Sequence, residues 1–565
     1  MNSMEKDKTK AIGTWIQEGK AVVGIEFGST RIKAVMIGED FSPIAGGSFT
    51  WENHLEHGIW TYHKDEIFEG LRMCYKALKD QVQERYGVTL KKLRGLGISG
   101  MMHGYLAFKG ERLLVPFRTW RNTNTGEAAR VLSELFDFNI PERWSIAHLY
   151  QAVLNQEEHV KDVDFITTLS GYISRCLGGG KSLGIGDAAG MFPIKDASRD
   201  YDETMLDQFD ALVGGQYPWR IREILPKVAV AGESVGTLTQ EGAFLLDPSG
   251  DLEPGALLSP PEGDAGTGMA ATNAVKKRTG NVSAGTSIFA MLVLEKALKK
   301  RHMEIDMVTT PAGDPVAMVH ANNCSSDINA WVGLFKEFAL GMGVKATDDA
   351  FYTYLFQKAL EADPDCGGLL SYGYLSGESI TGLEKGRPLF VRLPEAKLNL
   401  ANFMQTHIVS AFGAIKIGMD ILTVQEGVAV DHLVGHGGIF KTKEVAQGLL
   451  ADSLNIPVTV MENAGEGGPW GEALLTAYLF EKEAGICRYS YEKDNLKIMA
   501  FLSCYEDYMS IDISYKKSTV YSGEIRNIEE IRKFDTDILK VITDKNWIFL
   551  KKWPSIGIDF DERLE

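Results

Sequence analysis

The chain has 565 residues, a length that allows several domains. Apolar residues make up 44% of it and charged residues 24%, which are globular proportions and exclude a wholly disordered protein. The formal net charge of −17 opposes binding to nucleic acid or to an anionic membrane surface, so we expect neither as a partner.

The six cysteines are far apart, form no CxxC pair and have no histidine at metal-ligand spacing. This pattern predicts a reducing, cytoplasmic location and argues against a structural zinc site. Residues 1–20 are polar, lack the apolar core of a signal peptide and predict a solvated leader. The longest apolar runs are far shorter than the roughly 20 residues that span a bilayer, so we expect no membrane span.

The first apolar run ends in a glycine turn with two hydroxyl residues. Residues 22–25 and 32–37 predict two strands, and Glu26 precedes the turn between them. The turn consists of Gly28, Ser29 and Thr30. Its amides and hydroxyls could bind a phosphate, and the Glu26 carboxylate could hold Mg²⁺ through water. An ordinary hairpin turn is the alternative interpretation.

A helix is predicted at about residues 64–86, and a strand near 93–98 that leads to Met102 and His103. Because open α/β sheets bind ligands at strand ends, His103 is a candidate binding residue, with a structural histidine as the alternative. Further on, Trp120 could stack on a sugar and Asn122 could bind its hydroxyl groups. A Trp packed on the surface is an equally good interpretation.

Asp264 lies between glycines where a helix of small residues begins, so we expect it at or near the helix N-cap. There it would accept backbone N–H bonds and be kept ionised by the helix dipole. The functional interpretation is a general base that takes a proton from a substrate hydroxyl. The flanking glycines favour this interpretation, because they let a ligand approach the backbone. A plain N-cap is the alternative.

The strand–turn–strand pattern recurs at residues 280–292, with Gly285, Thr286 and Ser287 in the turn. Two such turns could grip a polyphosphate from both sides of a cleft. The recurrence suggests two α/β halves that divide near residues 262–269.

The remaining elements are a strand that enters the Gly437–Gly438 loop, then helix, strand, glycine loop and helix. We predict them at residues 431–439, 443–454, 458–461, 465–468 and 470–480. Gly437 and Gly438 could approach a nucleotide. The sequence contains no P-loop, no GxGxxG after a strand and no GxSxG elbow. Residues 485–565 differ in composition and predict an appended tail of weak helices and strands, to which we assign no chemistry.

Taken in order, these segments resemble the FGGY carbohydrate kinases of the actin-like, ribonuclease-H-like ATPase superfamily. The similar segments are residues 23–30, 98–104, 263–265, 285–287, 370–378 and 435–441. They are similar to the opening phosphate motif, the "SGQMHG" segment of xylulose kinases, the catalytic Asp, the second phosphate motif, the "PYLSGER" segment and the adenosine-side motif. The ordered set is far more specific than any one of its motifs.

The resemblance implies an α/β fold with two ribonuclease-H-like (actin-like) domains that flank a deep cleft. It implies a sugar-binding domain at 21–266 and a nucleotide-binding domain at 267–484, between the leader 1–20 and a divergent tail 485–565. The implied reaction is transfer of a phosphoryl group from ATP to a sugar hydroxyl, with domain closure excluding water.

The resemblance also implies residue roles. Asp264 would be the general base and would contact the sugar, and Glu26 would hold Mg²⁺. The residues implied to bind the cofactor are Gly28, Ser29, Thr30, Gly285, Thr286, Gly437, Gly438 and Lys441. The residues implied to bind the sugar, besides Asp264, are Met102, His103, Trp120 and Asn122.

Departures from the family pattern leave alternatives open. Glu26 and Asn122 stand where the family usually has Asp, and residues 440–442 replace its usual small-residue run. We favour a ketopentose such as D-xylulose, with another sugar, such as L-ribulose or L-fuculose, or a polyol as alternatives. A catalytically silent binding protein is a third hypothesis, against which the retained Asp264 argues. A chaperone-like ATPase is a fourth, and the sugar-kinase-like segments 98–104 and 370–378 argue against it. Length and charge are compatible with a monomer and with a homodimer.

Overall fold

A computed structural model describes residues 3–460, 467–484, 486–493, 496–503, 509–515 and 518–525. The chain divides into two units, residues 1–476 and 477–565. Strands β1–β12 are Val22–Phe27, Arg31–Ile37, Pro43–Thr50, His54–Glu56, Ile59–Thr61, Gly95–Gly100, Leu106–Lys109, Arg112–Leu113, Phe165–Thr167, Ser182–Gly184, Ile194–Lys195 and Asp200–Tyr201. Strands β13–β24 are Lys227–Ala229, Gly236–Thr237, Leu257–Leu258, Glu262–Gly263, Thr279–Ala284, Ile288–Val293, Ile305–Thr309, Pro315–Ala321, Leu369–Tyr372, Leu389–Arg392, His432–His436 and Val458–Val460.

The helices complete the described part of the first unit. Helices α1–α8 are Ser3–Gln17, Lys64–Tyr86, Gly126–Phe136, Ser145–Leu154, Leu169–Leu177, Ile185–Ala188, Glu203–Val213 and Ile221–Ile224. Helices α9–α16 are Gln240–Leu246, Asp264–Ala271, Ser325–Gly341, Asp348–Ala359, Leu400–Ser410, Gly413–Asp420, Val445–Leu454 and Gly467–Ala484. The last of these begins in the first unit and ends in the second.

The first large sheet has seven strands. Its order is β14-β15-β6-β1-β2-β3, and β16 also pairs with β6. β1 and β2 form an antiparallel hairpin, whereas β6 runs parallel to both β1 and β16. Ile25, Phe27 and Leu96 of this sheet are buried in one core with Leu71 and Leu78 of helix α2. The sheet therefore presents the carboxyl ends of three parallel strands side by side.

The second large sheet has six strands in the order β19-β20-β18-β17-β23-β24. β17 and β18 form an antiparallel hairpin, and β23 runs parallel to β17. Buried residues of this sheet, such as Val282 and Leu433, share a core with residues of helices α13, α14 and α15. The two large sheets thus each contain a glycine hairpin with a parallel strand beside it, as the recurring sequence pattern predicts.

Several predicted elements are confirmed. Both strand–turn–strand segments form hairpins, and the helix predicted at 64–86 spans Lys64–Tyr86. That helix ends where Gly87 adopts φ 67°, a left-handed conformation that suits glycine. The strand predicted at 93–98 lies two residues later, and the last helix begins at Gly467, inside the predicted glycine loop. The other residues of that loop, 465 and 466, lie outside the described residues.

The solvated leader predicted at residues 1–20 contains helix α1, Ser3–Gln17, which the sequence analysis did not predict. Most of its described side chains are exposed or half-buried, but Ile16 is 1% exposed in the core of the first sheet. Ile12 and Trp15 pack against the same core. Helix α1 therefore has a narrow apolar face within a polar sequence, and this face packs against the end of helix α2 and the loop that follows it.

The described residues of the second unit beyond helix α16 form one antiparallel sheet in the order β25-β26-β27-β28. Its strands are Ile486–Lys493, Leu496–Ser503, Met509–Tyr515 and Ser518–Ile525. The tail predicted at 485–565 therefore contains strands in its first half, and residues 526–565 lie outside the described residues. The domain limits 21–266 and 267–484 stay predictions.

Across the described residues, no single helix has the length and apolar composition to cross a membrane. Leu400–Ser410 and Gly413–Gln425, bent by 44°, meet that test only when they are taken together.

Candidate active site

Three predicted site segments meet at one edge of the first sheet. The phosphate turn follows β1, Met102 and His103 follow β6, and Asp264 follows β16. Since β6 pairs parallel with both neighbours, the three segments leave the sheet side by side. The Met102 backbone N–H donates a hydrogen bond to Asp264 Oδ1 across 3.4 Å. The structure thus brings the candidate base and the candidate sugar loop into contact.

Asp264 is the first residue of helix α10, one position after the N-cap residue Gly263. Its side chain is exposed to solvent, yet the surrounding protein raises its pKa to about 6, against the lowering effect of N–H bonds from Met102 and Ala265. The carboxylate is therefore mostly ionised at neutral pH and close to the pKa that suits proton transfer.

Glu26 lies on β1, half-buried, beside the start of helix α16. A Cβ on Gly468 would overlap Glu26 Oε2, so only glycine allows this approach. Burial and the negative charge of Asp264 raise the pKa of Glu26 to about 8, and Lys33 partly opposes this. Lys33 offsets the raised pKa only in part, and carboxylate oxygens are the ligands that Mg²⁺ prefers. Glu26 therefore offers one side-chain ligand for a divalent cation.

Met102 and His103 are both buried. His103 has φ 69°, and its Nδ1 lies 3.0 Å from the Gly190 carbonyl oxygen. Because a carbonyl only accepts, the ring donates from Nδ1. Burial and the charge of Arg143 hold the pKa of His103 well below its usual range, so the ring is neutral at pH 7. Nε2 is then the acceptor nitrogen of the ring.

The two other predicted sugar residues differ in exposure and in hydrogen bonding. Trp120 is 36% exposed and remains a candidate stacking surface. The Asn122 side chain is buried and bonds only to backbone: Oδ1 accepts from Trp60 N at 2.8 Å, and Nδ2 donates to the carbonyl oxygens of Trp60 and Thr119 at 2.9 Å. Both amide donors of Asn122 are therefore already used within the protein, and these bonds fix the loop that carries Trp120. The sugar-binding role of Asn122 stays a prediction.

The predicted nucleotide residues meet at one edge of the second sheet. β17 and β23 run parallel, so Gly285 and Thr286 leave the sheet beside Gly437 and Gly438. Gly437 has φ 113°, and a Cβ there would overlap the Ala284 backbone. A Cβ on Gly285 or on Gly438 would meet no atom within 4 Å, so open space faces both.

Hydrogen bonds from Ser325 and Cys324 also hold the turn at this edge in place. The Ser325 hydroxyl donates to the Gly285 carbonyl oxygen at 2.6 Å, and the Cys324 N–H donates to the Thr286 carbonyl at 3.0 Å. The turn is therefore fixed through its carbonyls, which leaves exposed backbone on its other side for an anionic ligand. Lys441 is exposed at the end of the short 3₁₀ helix Gly438–Lys441.

The sequence did not identify three buried carboxylates near Asp264 and Glu26. Burial raises the pKa of Glu262 to about 8 and that of Asp187 to about 7, and it raises the pKa of Glu472 strongly. Asp187 follows Gly184, Ile185 and Gly186, a glycine context similar to that of Asp264, and this signal could have identified it. Glu262 precedes Asp264 by two residues, but nothing in the sequence shows what it contacts.

Comparison with known proteins places the chain in a family. Residues 21–247 match the N-terminal domain of the FGGY family of carbohydrate kinases, and residues 280–480 match its C-terminal domain. The chain belongs to this family. The family membership that the sequence motifs predict is confirmed. The protein is a carbohydrate kinase, and enzymes of this class act on small-molecule sugars with ATP.

This FGGY kinase is 23% identical to the xylulose kinase of Klebsiella pneumoniae over 376 residues, which are 63% of this chain and 69% of that protein. Xylulose kinase from Lactobacillus acidophilus superposes with TM-score 0.68 at 16% identity, over 82% of this chain and 90% of that one. Gluconate kinase from the same organism superposes with TM-score 0.66, with the same identity and the same coverage. These similarities confirm the predicted α/β fold with two actin-like domains.

The three buried carboxylates predict how stability depends on pH. Their pKa values are raised in the folded state from ordinary values of 3.8 and 4.5, so the folded protein keeps protons that the unfolded chain releases. The free energy of unfolding should therefore fall as pH rises from about 5 to 8. Glu472→Gln should flatten this fall and raise stability at pH 8.

Chemical denaturation at pH 5, 6.5 and 8 measures the effect, and Glu84→Gln, an exposed change on helix α2, is the control. Equal stability at the three pH values, or the same effect from both variants, would contradict the expectation.

Proposed function

We propose that this FGGY kinase transfers the γ-phosphoryl group of MgATP to a hydroxyl of a ketopentose such as D-xylulose, with Asp264 as general base. One observation carries the proposal. The solvent-accessible carboxylate of Asp264 lies beside Met102 at the edge where the first phosphate turn and the candidate sugar loop also leave the sheet.

In the proposed reaction Asp264 accepts the proton of the sugar hydroxyl. The sugar oxygen forms a bond to the γ-phosphorus while the bond from that phosphorus to the β,γ-bridging oxygen breaks, and ADP leaves. A carboxylate with a pKa of about 6 can take this proton at neutral pH and return it to solvent after the product leaves.

The phosphate-binding role is assigned to the two glycine turns. Gly28, Ser29 and Thr30 would face the transferred phosphoryl group, and Gly285 and Thr286 would face the phosphates of the nucleotide. Gly437, Gly438 and Lys441 would lie along its adenosine side. Glu26 would hold Mg²⁺, directly or through water, and the ion would neutralise charge on the phosphates.

The sugar would lie against Met102 and His103. The neutral His103 ring offers Nε2 as an acceptor for one sugar hydroxyl, and the exposed Trp120 ring offers an apolar face. The curated relative named a xylulose kinase supports a ketopentose acceptor. Because a gluconate kinase has an equally similar fold, the acceptor must be identified by assay.

The test is ADP release, coupled to NADH oxidation, with MgATP and a panel of ketopentoses, deoxyketohexoses, polyols and gluconate. We expect strong stimulation by D-xylulose, and mass spectrometry should detect the sugar phosphate in equal amount. Stimulation only by L-ribulose, L-fuculose or a polyol would replace the proposed substrate. ATP turnover that no acceptor increases would contradict the proposed function.

The pH profile tests the role of Asp264. A general base must be ionised, so kcat/KM for the sugar should fall about tenfold per pH unit below pH 6 and level off above it. Saturating ATP and Mg²⁺ should be used at each pH, with enzyme returned to pH 7 as a control for irreversible loss. A flat profile between pH 4.5 and 7 would contradict a base with a pKa of about 6.

A further inference from the structure

A short turn of chain contacts both the candidate sugar loop and the strand that precedes Asp264. The 184–190 turn comprises Gly184, helix α6 and residues 189–190. Its Gly190 carbonyl bonds His103 Nδ1, and a Cβ on Gly190 would lie 2.6 Å from that nitrogen and 3.0 Å from Met102 Cε. At the other end, the Gly184 N–H donates to the Pro261 carbonyl at 2.8 Å. The turn therefore links the two parts of the site that must meet the sugar.

The Glu262 side chain holds this turn in place through hydrogen bonds. Its side chain is 2% exposed and accepts the backbone N–H groups of Gly186 at 3.2 Å and Asp187 at 3.0 Å. It also accepts the N–H of its own neighbour Gly263 at 3.3 Å. Side chains at Gly184 and Gly186 would collide with the carboxylate, so the backbone closes directly around it. A single carboxylate thus joins the turn to the residue that precedes Asp264.

Asp187 extends the same network. Its Oδ2 accepts hydrogen bonds from the hydroxyls of Thr168, at 2.7 Å, and Ser170, at 2.5 Å. Its Oδ1 is buried, has no hydrogen-bond partner among the described residues, and lies 3.5 Å from where a Cβ on Gly263 would be. A buried carboxylate oxygen without a donor is costly, so the surrounding contacts must hold it there.

We propose that Glu262 is a positioning residue, which fixes the 184–190 turn so that His103 and Asp264 engage the same sugar molecule. This role rests on the proposed function, since the alignment matters only if Asp264 acts on a sugar. Catalysis depends on alignment to within a fraction of an ångström, and misplacement by about 1 Å can cost about 100-fold in rate.

Glutamate suits this position for a chemical reason. Both oxygens of the Glu262 side chain accept N–H groups, three in all, from Gly186, Asp187 and Gly263. A glutamine has one acceptor oxygen, and its amide group would face N–H donors. Glu262→Gln therefore loosens the turn while it keeps the volume of the side chain.

The experiment compares the full-length wild type with Glu262→Gln by steady-state kinetics and thermal unfolding. We expect kcat to fall at least tenfold and the sugar KM to rise, with the ATP KM within twofold of wild type. Glu426→Gln is the matched control. Glu426 is also buried and accepts a backbone N–H, from Lys299 at 2.7 Å, but it contacts His302 and no residue of the site. It should lower the unfolding temperature and leave kcat and the sugar KM unchanged.

Gly186→Ala is a second variant for the case that Glu262→Gln does not fold. It leaves the carboxylate intact but places a Cβ about 2.5 Å from Glu262 Oε2, so the same kinetic parameters should change in the same direction. Wild-type kcat and sugar KM in a folded Glu262→Gln or Gly186→Ala enzyme would overturn the positioning role. An equal loss of kcat in Glu426→Gln would also overturn it, because any buried carboxylate would then have that effect. A wild type without sugar-dependent ADP release would overturn the proposed function, and this role with it.

Discussion

The parallel pairing of β6 with both β1 and β16 is the constraint on which the active site depends. Parallel neighbours end at the same edge of a sheet, so the residues after each strand must lie together. That single arrangement brings the phosphate turn, the buried Met102 and His103, and Asp264 close together. The hairpin partner β2 and the cover from helix α2 keep β1 in place, and β23 gives the second sheet a similar edge, where we propose that the nucleotide binds.

The site brings five acidic side chains close together. Glu26, Asp187, Glu262, Asp264 and Glu472 all have raised pKa values, and desolvation by the surrounding protein is the largest cause for each. The structure compensates locally with backbone N–H groups at Glu262 and with hydroxyls at Asp187. Glu26 has no comparable set of donors among the described residues. An anionic nucleotide would approach the ionised Asp264 carboxylate here, and for this reason the proposed mechanism includes a cation.

Local patterns made much of this predictable. The glycine and hydroxyl residues of both hairpins, and the long amphipathic stretch at Lys64–Tyr86, act over short distances and formed as expected. The small residues that follow Asp264 predicted its position at the start of a helix. These features depend on backbone conformation and on periodicity, which a sequence shows directly.

Contacts between distant residues were beyond prediction. The Asn122 side chain forms hydrogen bonds with the backbone of Trp60, which is 62 positions away. The Glu262 side chain accepts a hydrogen bond from the Asp187 N–H, which is 75 positions away. Ile16 is buried in the core of the first sheet, and the polar sequence around it gives no sign of this contact. Helix α16 begins at Gly467, in a stretch whose glycines predicted a loop, and Gly468 approaches Glu26 of the distant strand β1.

The central claim is that the Asp264 carboxylate takes the proton of the sugar hydroxyl. Rapid-quench measurement of a single turnover, with radiolabelled ATP and saturating sugar, reports phosphoryl transfer separately from product release. We predict that Asp264→Asn lowers this rate by about 100-fold to 10,000-fold, as expected for loss of a general base, while calorimetry shows ATP binding close to wild type. A single-turnover rate within threefold of wild type, with both substrates bound, would contradict the account.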